Sequence, residues 1–95
     1  MSPSSPKEDV TIRRKRLKFR SWHRGIQEAD ILLGNFADRY LNELTEQELD
    51  QYEDLLEEQD IDIVAWIGGV RTPPDRFDTA VMARLQTLDY VKFTS

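Results

Sequence analysis

Apolar residues along this chain recur at spacings of three and four over most of its length, the period of an amphipathic helix; no alternation is long enough to specify a strand. From 10 to 24 no proline or glycine intervenes. Ile12, Arg16, Phe19 and His23, or else Leu17 and Trp22, form a narrow apolar-aromatic stripe on a strongly basic helix. Gly25 is the expected residue just past its end, where glycine enters left-handed backbone without steric cost. A second helix is predicted over about 26–44, with Ile26, Ala29, Leu33, Phe36, Ala37, Tyr40, Leu41 and Leu44 facing the core. Gly34 inside it is less favourable than alanine by about 1 kcal/mol, so the pattern predicts a close helix contact or a break in regularity there.

The tetrapeptide TEQE at 45–48 is the clearest helix start. The Thr45 hydroxyl accepts from the Glu48 amide while the Glu48 carboxylate reaches back, and Glu46 and Glu48 suit the positive end of the helix dipole. That helix is predicted to run to about Glu58 with Leu49, Tyr52, Leu55 and Leu56 inward. Asp60 or Asp62 caps a short fourth helix carrying Ile63, Val64, Trp66 and Ile67 and ended by Gly68 and Gly69. After the RTPPD turn, a last helix over about 75–90 places Phe77, Val81, Met82, Leu85 and Leu88 on one side. The predicted fold is all-α: a compact bundle of five short helices forming one domain over 10–95, preceded by a disordered Ser- and Pro-rich tail at 1–9.

Composition narrows the chemistry. The 95 residues include no cysteine and one histidine, which excludes disulfides, thiolate metal sites and thiol nucleophiles and disfavours transition-metal binding. A domain of this size needs most of its apolar side chains for its core, leaving little room for a catalytic pocket. His23 has Ser21 as a near neighbour on the same predicted helix, without the strand-turn elbow of a nucleophilic serine, so no catalytic residue is assigned. The acid-rich segment lacks the ligand spacing and central glycine of a calcium loop, so no metal site is assigned. The longest apolar run, 61–70, is far short of the ~20 residues of a membrane span, so no direct membrane insertion is expected. The N-terminus lacks the apolar core of a secretory signal, which predicts an intracellular protein.

Net charge is −5, but it is distributed unevenly. Eight of the thirteen basic residues lie between Lys7 and Arg24, whereas from Gly25 to Asp62 Arg39 is the only one against thirteen acids. The basic segment has two readings. Its charges suit phosphate contact, with Phe19 and Trp22 available to stack on bases; alternatively it rests on acidic faces of its own bundle or of a protein partner. The acidic remainder argues against nucleic acid. At the seam between the charge blocks, Arg24 and Glu28 are spaced for an i,i+4 ion pair across a helix junction, worth only ~0.3–0.5 kcal/mol if exposed.

The segment RGIQEADILL at 24–33, continued by FADRYL at 36–41, TEQEL at 45–49, YEDLLEEQDID at 52–62 and Trp66, resembles the succinate dehydrogenase flavinylation factor family, the SdhE-type assembly factors. The likeness extends from about Arg13 to Leu88, and the short signature R-G-x-x-E is intact. The resemblance implies a small helical bundle that is not an enzyme. It would bind the flavoprotein subunit of succinate dehydrogenase, and in some bacteria fumarate reductase, and promote covalent attachment of FAD to a histidine there. It further implies that FAD belongs to the partner and is not held stably by this chain, and that Arg24, Gly25, Glu28 and Asp30 form the partner-binding motif, with Arg24 and Glu28 making charged hydrogen bonds. The expected location is the bacterial cytoplasm, or the mitochondrial matrix for a eukaryotic protein.

Overall fold

In the computed structural model, which describes residues 9–87, five α-helices and two short 3-10 turns pack around one apolar core, with no strand among the described residues. Helix α1 spans Val10–Trp22, α2 Gln27–Tyr40, α3 Glu46–Leu56, α4 Asp60–Ile67 and α5 Ala80–Thr87. The 3-10 turns, Leu41–Glu43 and Asp75–Phe77, follow α2 and precede α5. Leu33, Phe36, Leu49, Tyr52, Ile63 and Leu85 are fully buried at the centre, and Leu17 joins them from α1.

Each helix starts and stops for identifiable reasons. Asp9, at the end of the expected tail, caps α1 by accepting from the Thr11 amide at 2.8 Å. The reciprocal capping box of α3 forms as expected: Glu48 N–H donates to Thr45 Oγ1 at 3.1 Å and Thr45 N–H to Glu48 Oε1 at 3.0 Å. Helix α4 ends at Gly68 and Gly69, and Gly69 has φ +78°, a conformation that disfavours side chains. Of the two expectations at Gly34, a close contact or a break in the helix, the structure has the close contact, since a Cβ there would overlap the indole of Trp22 while α2 runs on unbroken. The absence of a side chain lets α2 approach the end of α1.

Several expectations are corrected. Helix α1 ends at Trp22, and Gly25 does not adopt left-handed backbone; Gly69 is the only glycine that does among the described residues. Of the two expected stripes on α1, that of Ile12, Phe19 and His23 faces outward, with Ile12 and Phe19 58% and 63% exposed and the His23 ring stacked on Phe19; Leu17 and Trp22 lie on the inward side, Leu17 fully buried with Ser21 and Trp22 half-buried against Gly34. The predicted second helix is divided. Its regular part stops at Tyr40, a 3-10 turn carries Leu41 inward, and Ile26 lies exposed before the first turn. Neither Asp60 nor Asp62 caps α4, because Gln59 holds that position and Asp60 faces elsewhere. The last helix begins at Ala80, after a 3-10 turn; Leu88 and Tyr90 lie outside the described residues.

α1 and α3 run parallel. Arg13 pairs with Asp50 at 2.7 Å and Glu53 at 2.9 Å, Arg16 with Glu53 at 3.0 Å, and Arg20 with Glu57 at 2.6 Å, so partners advance together along both helices. Parallel helices place like dipole ends side by side, and this row of opposite charges offsets that repulsion. Burial alone would raise the Glu53 carboxyl; hydrogen bonds and charge from Arg13 and Arg16 outweigh it and hold the group below the usual carboxylate range. Of the two readings of the basic segment, contact with the protein's own acidic helix is the one this face adopts.

Candidate functional site

The three residues after His23 carry the chain from α1 to α2, and their geometry is set by a carboxylate thirty-five residues downstream from Gly25. Arg24 turns inward, its side chain only 10% exposed. Its Nε donates to Asp60 Oδ1 at 2.7 Å, and its Nη2 donates to the carbonyls of Leu56 at 2.9 Å and Glu58 at 3.4 Å. Those carbonyls lie at the end of α3, which has no basic residue in its own last turn. Arg24, with Arg20 donating to Leu56 O at 3.3 Å, therefore supplies the cationic C-terminal cap that α3 lacks.

The other oxygen of the same carboxylate holds the backbone. Gly25 N–H donates to Asp60 Oδ2 at 2.7 Å, and a Cβ on Gly25 would meet that oxygen at 3.1 Å, tighter than an ordinary contact. Glycine is favoured here by a close polar approach to Asp60. Asp30 completes the clasp from the far side: one carboxylate oxygen accepts from the Arg24 backbone N–H, bridging the loop to the first turns of α2. The junction is thus pinned on both sides by carboxylates.

Glu28 has a different role. The i,i+4 pair with Arg24 does not form, and the Glu28 side chain stands exposed with no hydrogen bond or ion pair among the described residues. It sits in the first turn of α2, where the helix dipole favours its charge. Exposed Ile26 and Ile61, 40% and 70% accessible, flank the Gly25–Asp60 contact in sequence. Of the four motif residues, Arg24 and Asp30 are internal fasteners and Gly25 and Glu28 are presented to solvent.

Residues that could suggest catalysis are not assembled for it. Ser21 is fully buried, with its hydroxyl 2.7 Å from the Leu17 carbonyl and 2.6 Å from the Tyr52 hydroxyl. The His23 Nδ1 lies 2.7 Å from Phe19 O, on the exposed side of α1, so it is a donor that carbonyl fixes. Burial pushes the Tyr52 phenol well above its ordinary value, with the Ser21 hydrogen bond and the charges of Arg24 and Arg20 opposing more weakly. Tyr52, Leu55, Leu56 and Trp66 are core residues, as expected. Among the described residues no cluster of three or more His, Asp or Glu could hold a metal ion, and no helix is long and apolar enough to cross a membrane.

Asp60 is the site residue that sequence reading assigns wrongly, as a helix cap, because its partners are distant in sequence. The local sequence around Asp60 carries no signal for these contacts.

Comparison with known proteins places this junction in context. The family model described as "Flavinator of succinate dehydrogenase" matches residues 15–89. The chain is 46% identical over 83 residues to succinate dehydrogenase assembly factor 2, mitochondrial, of Scheffersomyces stipitis, covering 83% of this chain and 56% of that protein. It is 40% identical over 81 residues to the protein of the same name from Debaryomyces hansenii, covering 82% and 57%. With assembly factor 2-B, mitochondrial, of Drosophila mojavensis the identity is 36% over 86 residues, covering 88% and 55%. The chain spans little more than half the length of these curated relatives. A match over most of the chain, on a helical bundle whose R-G-x-x-E segment forms a pinned and exposed junction, shows that the chain belongs to the succinate dehydrogenase flavinator family.

Proposed function

We propose that this chain is a non-catalytic assembly factor that docks on the flavoprotein subunit of succinate dehydrogenase and promotes covalent attachment of that subunit's FAD to a histidine. Family membership supports the class of partner and of outcome. The observation that carries the docking surface is the junction itself, where Gly25 lies exposed on a backbone fixed by Asp60 and the Glu28 carboxylate beside it has no internal partner.

The division of labour follows from the geometry. Arg24 and Asp30 hold the loop, so that binding does not carry the entropic cost of ordering it. Gly25 lets partner backbone approach closely, and Glu28 offers a charge-assisted hydrogen bond to a basic or N–H group of the partner. Exposed Ile26 and Ile61 add apolar area beside the contact. The flavin and the reacting histidine stay with the flavoprotein. By binding more tightly to the conformation in which ring and histidine are aligned, this chain raises the population of that conformation. Such an effect needs differential affinity and no catalytic side chain.

The mitochondrial names of the relatives support the mitochondrial matrix over the bacterial cytoplasm as the working compartment. A nucleic-acid role has no comparable support, because Arg13, Arg16, Arg20 and Arg24 are engaged with the chain's own carboxylates.

The test is co-expression of a flavoprotein subunit with and without this chain, followed by in-gel fluorescence of covalent flavin after denaturation. A signal that rises with the chain supports the reading; equal signal in both lanes overturns it.

A further inference from the structure

The basic residues of α1 divide into two sets with different fates. Arg13, Arg16 and Arg20 point toward α3 and are matched by its carboxylates. Arg14, Lys15 and Lys18 lie about 170° around the helix from them, at 100° per residue, on the side facing α2 and the 3-10 turn. There they line a cleft of about 340 Å³ together with Thr11, Asp38 and Asn42, above Ala37 and Leu41. Its volume lies at the lower end of the range for small-molecule sites.

Charge in this cleft is unbalanced. Arg14 donates from Nε to Leu41 O at 3.1 Å and from Nη2 to Leu44 O at 2.9 Å, which fixes its guanidinium against carbonyls and no carboxylate. Lys18 reaches Asp38 at 3.3 Å across an exposed gap. Lys15 has no ion pair or hydrogen bond among the described residues. Three cations thus face one lining carboxylate, in a protein whose net charge is negative. The carbonyl end of α2 accounts for part of Arg14's charge, and a positive surplus remains.

We propose that this cleft binds a small phosphate-bearing anion. The surplus matches a compact dianion better than a single carboxylate, and Arg and Lys offer only donors, as phosphate oxygens require. Thr11 and Asn42 add neutral polar groups at the rim. Arg14, held by two backbone carbonyls, supplies the oriented group, while Lys15 and Lys18 close on the ligand as mobile point charges. This site is separate from the Gly25 junction and does not depend on the docking proposal.

The experiment follows backbone amide NMR shifts of the full chain during titration with inorganic phosphate, and separately with pyrophosphate, against sodium chloride at matched ionic strength. The expected result is saturable movement at Thr11, Lys15, Asp38 and Asn42 with either phosphate probe and none with chloride; the tighter probe tells a monophosphate from a diphosphate ligand. The double variant Lys15→Ala with Lys18→Ala should weaken binding on the order of tenfold. Arg71→Ala with Arg76→Ala removes the same charge elsewhere and should leave it unchanged. Shifts that do not saturate, shifts equal in chloride, or equal weakening by both double variants would overturn the proposal.

Discussion

Replacing Asp60 tests whether one carboxylate organises the exposed junction. Asp60→Ala removes the acceptor of both the Arg24 side chain and the Gly25 amide, leaving a guanidinium that is only 10% exposed facing a site where the carboxylate was 17% exposed. Breaking a fully buried pair costs about 3–5 kcal/mol, and exposed pairs are worth about 0–1. The residual accessibility here, with Arg24 still bonded to two carbonyls, places the loss at about 2–3 kcal/mol. In a domain of this size that corresponds to a fall in Tm of about 10–20 °C. Asp62 is the internal control. It occupies the same first turn of α4 and shares the helix-dipole benefit, but its partner Arg71 is 53% exposed, so Asp62→Ala should cost less than about 1 kcal/mol. Urea denaturation of the three proteins gives the stabilities, and hydrogen exchange of the Gly25 amide reports the local bond, which should exchange faster in Asp60→Ala alone. If Asp60→Ala and Asp62→Ala prove equally stable, or Gly25 exchange stays at the wild-type rate, the clasp does not hold the junction.

The other predictions address packing, docking and acid stability. Gly34→Ala gains about 1 kcal/mol of helix propensity but drives a methyl into the Trp22 indole, and overpacking of this kind costs about 1–3 kcal/mol. Net destabilisation is expected, and in the background of Trp22→Ala the same change should become stabilising by chemical denaturation. Glu28→Ala should leave stability within about 0.5 kcal/mol while lowering covalent flavin in the co-expression assay, because the side chain has no internal partner. Gly25→Arg should lower flavinylation more severely by covering the docking surface; wild-type flavin incorporation by either variant would remove that residue from the interface. The Glu53 carboxyl titrates lower in the folded chain than in the unfolded one, so its contribution is complete above the ordinary value of about 4.3 and lost as the pH falls below it. Glu53→Gln should therefore flatten the acid limb of the stability profile in that range, measured by urea midpoints at successive pH values.

Features governed by near neighbours were legible in the sequence. The Thr45–Glu48 capping box, the close approach at Gly34 and the core face of α3 each depend on residues within a turn or on the absence of a side chain, and each formed as expected. The junction was less legible because its determinants are tertiary. Glycine after a helix usually signals a left-handed cap, but Gly25 instead answers a distant carboxylate, and Asp60 looked like a local cap because aspartate favours that position. The outer stripe of Ile12, Phe19 and His23 had helical spacing as good as the inner one. Periodicity identifies a face and cannot say which way it turns.

The row of charges between α1 and α3 has a further consequence for how the bundle finds its alignment. Basic positions 13, 16 and 20 and acidic positions 50, 53 and 57 repeat at the same interval, so sliding one helix by a turn would remate most of them. Attraction between the two rows therefore carries almost no positional information. The alignment is marked instead by the buried apolar residues and by the hydroxyl pair of Ser21 and Tyr52, 2.6 Å apart. After a one-turn slip Tyr52 would face the neighbourhood of Leu17 and lose its Ser21 partner, a hydrogen bond worth about 0.5–1.5 kcal/mol, beside the longer one its hydroxyl donates to Leu33 O at 3.3 Å. A neutral contact thus acts as the vernier mark on a charged scale, in the same register as the clasp at Asp60.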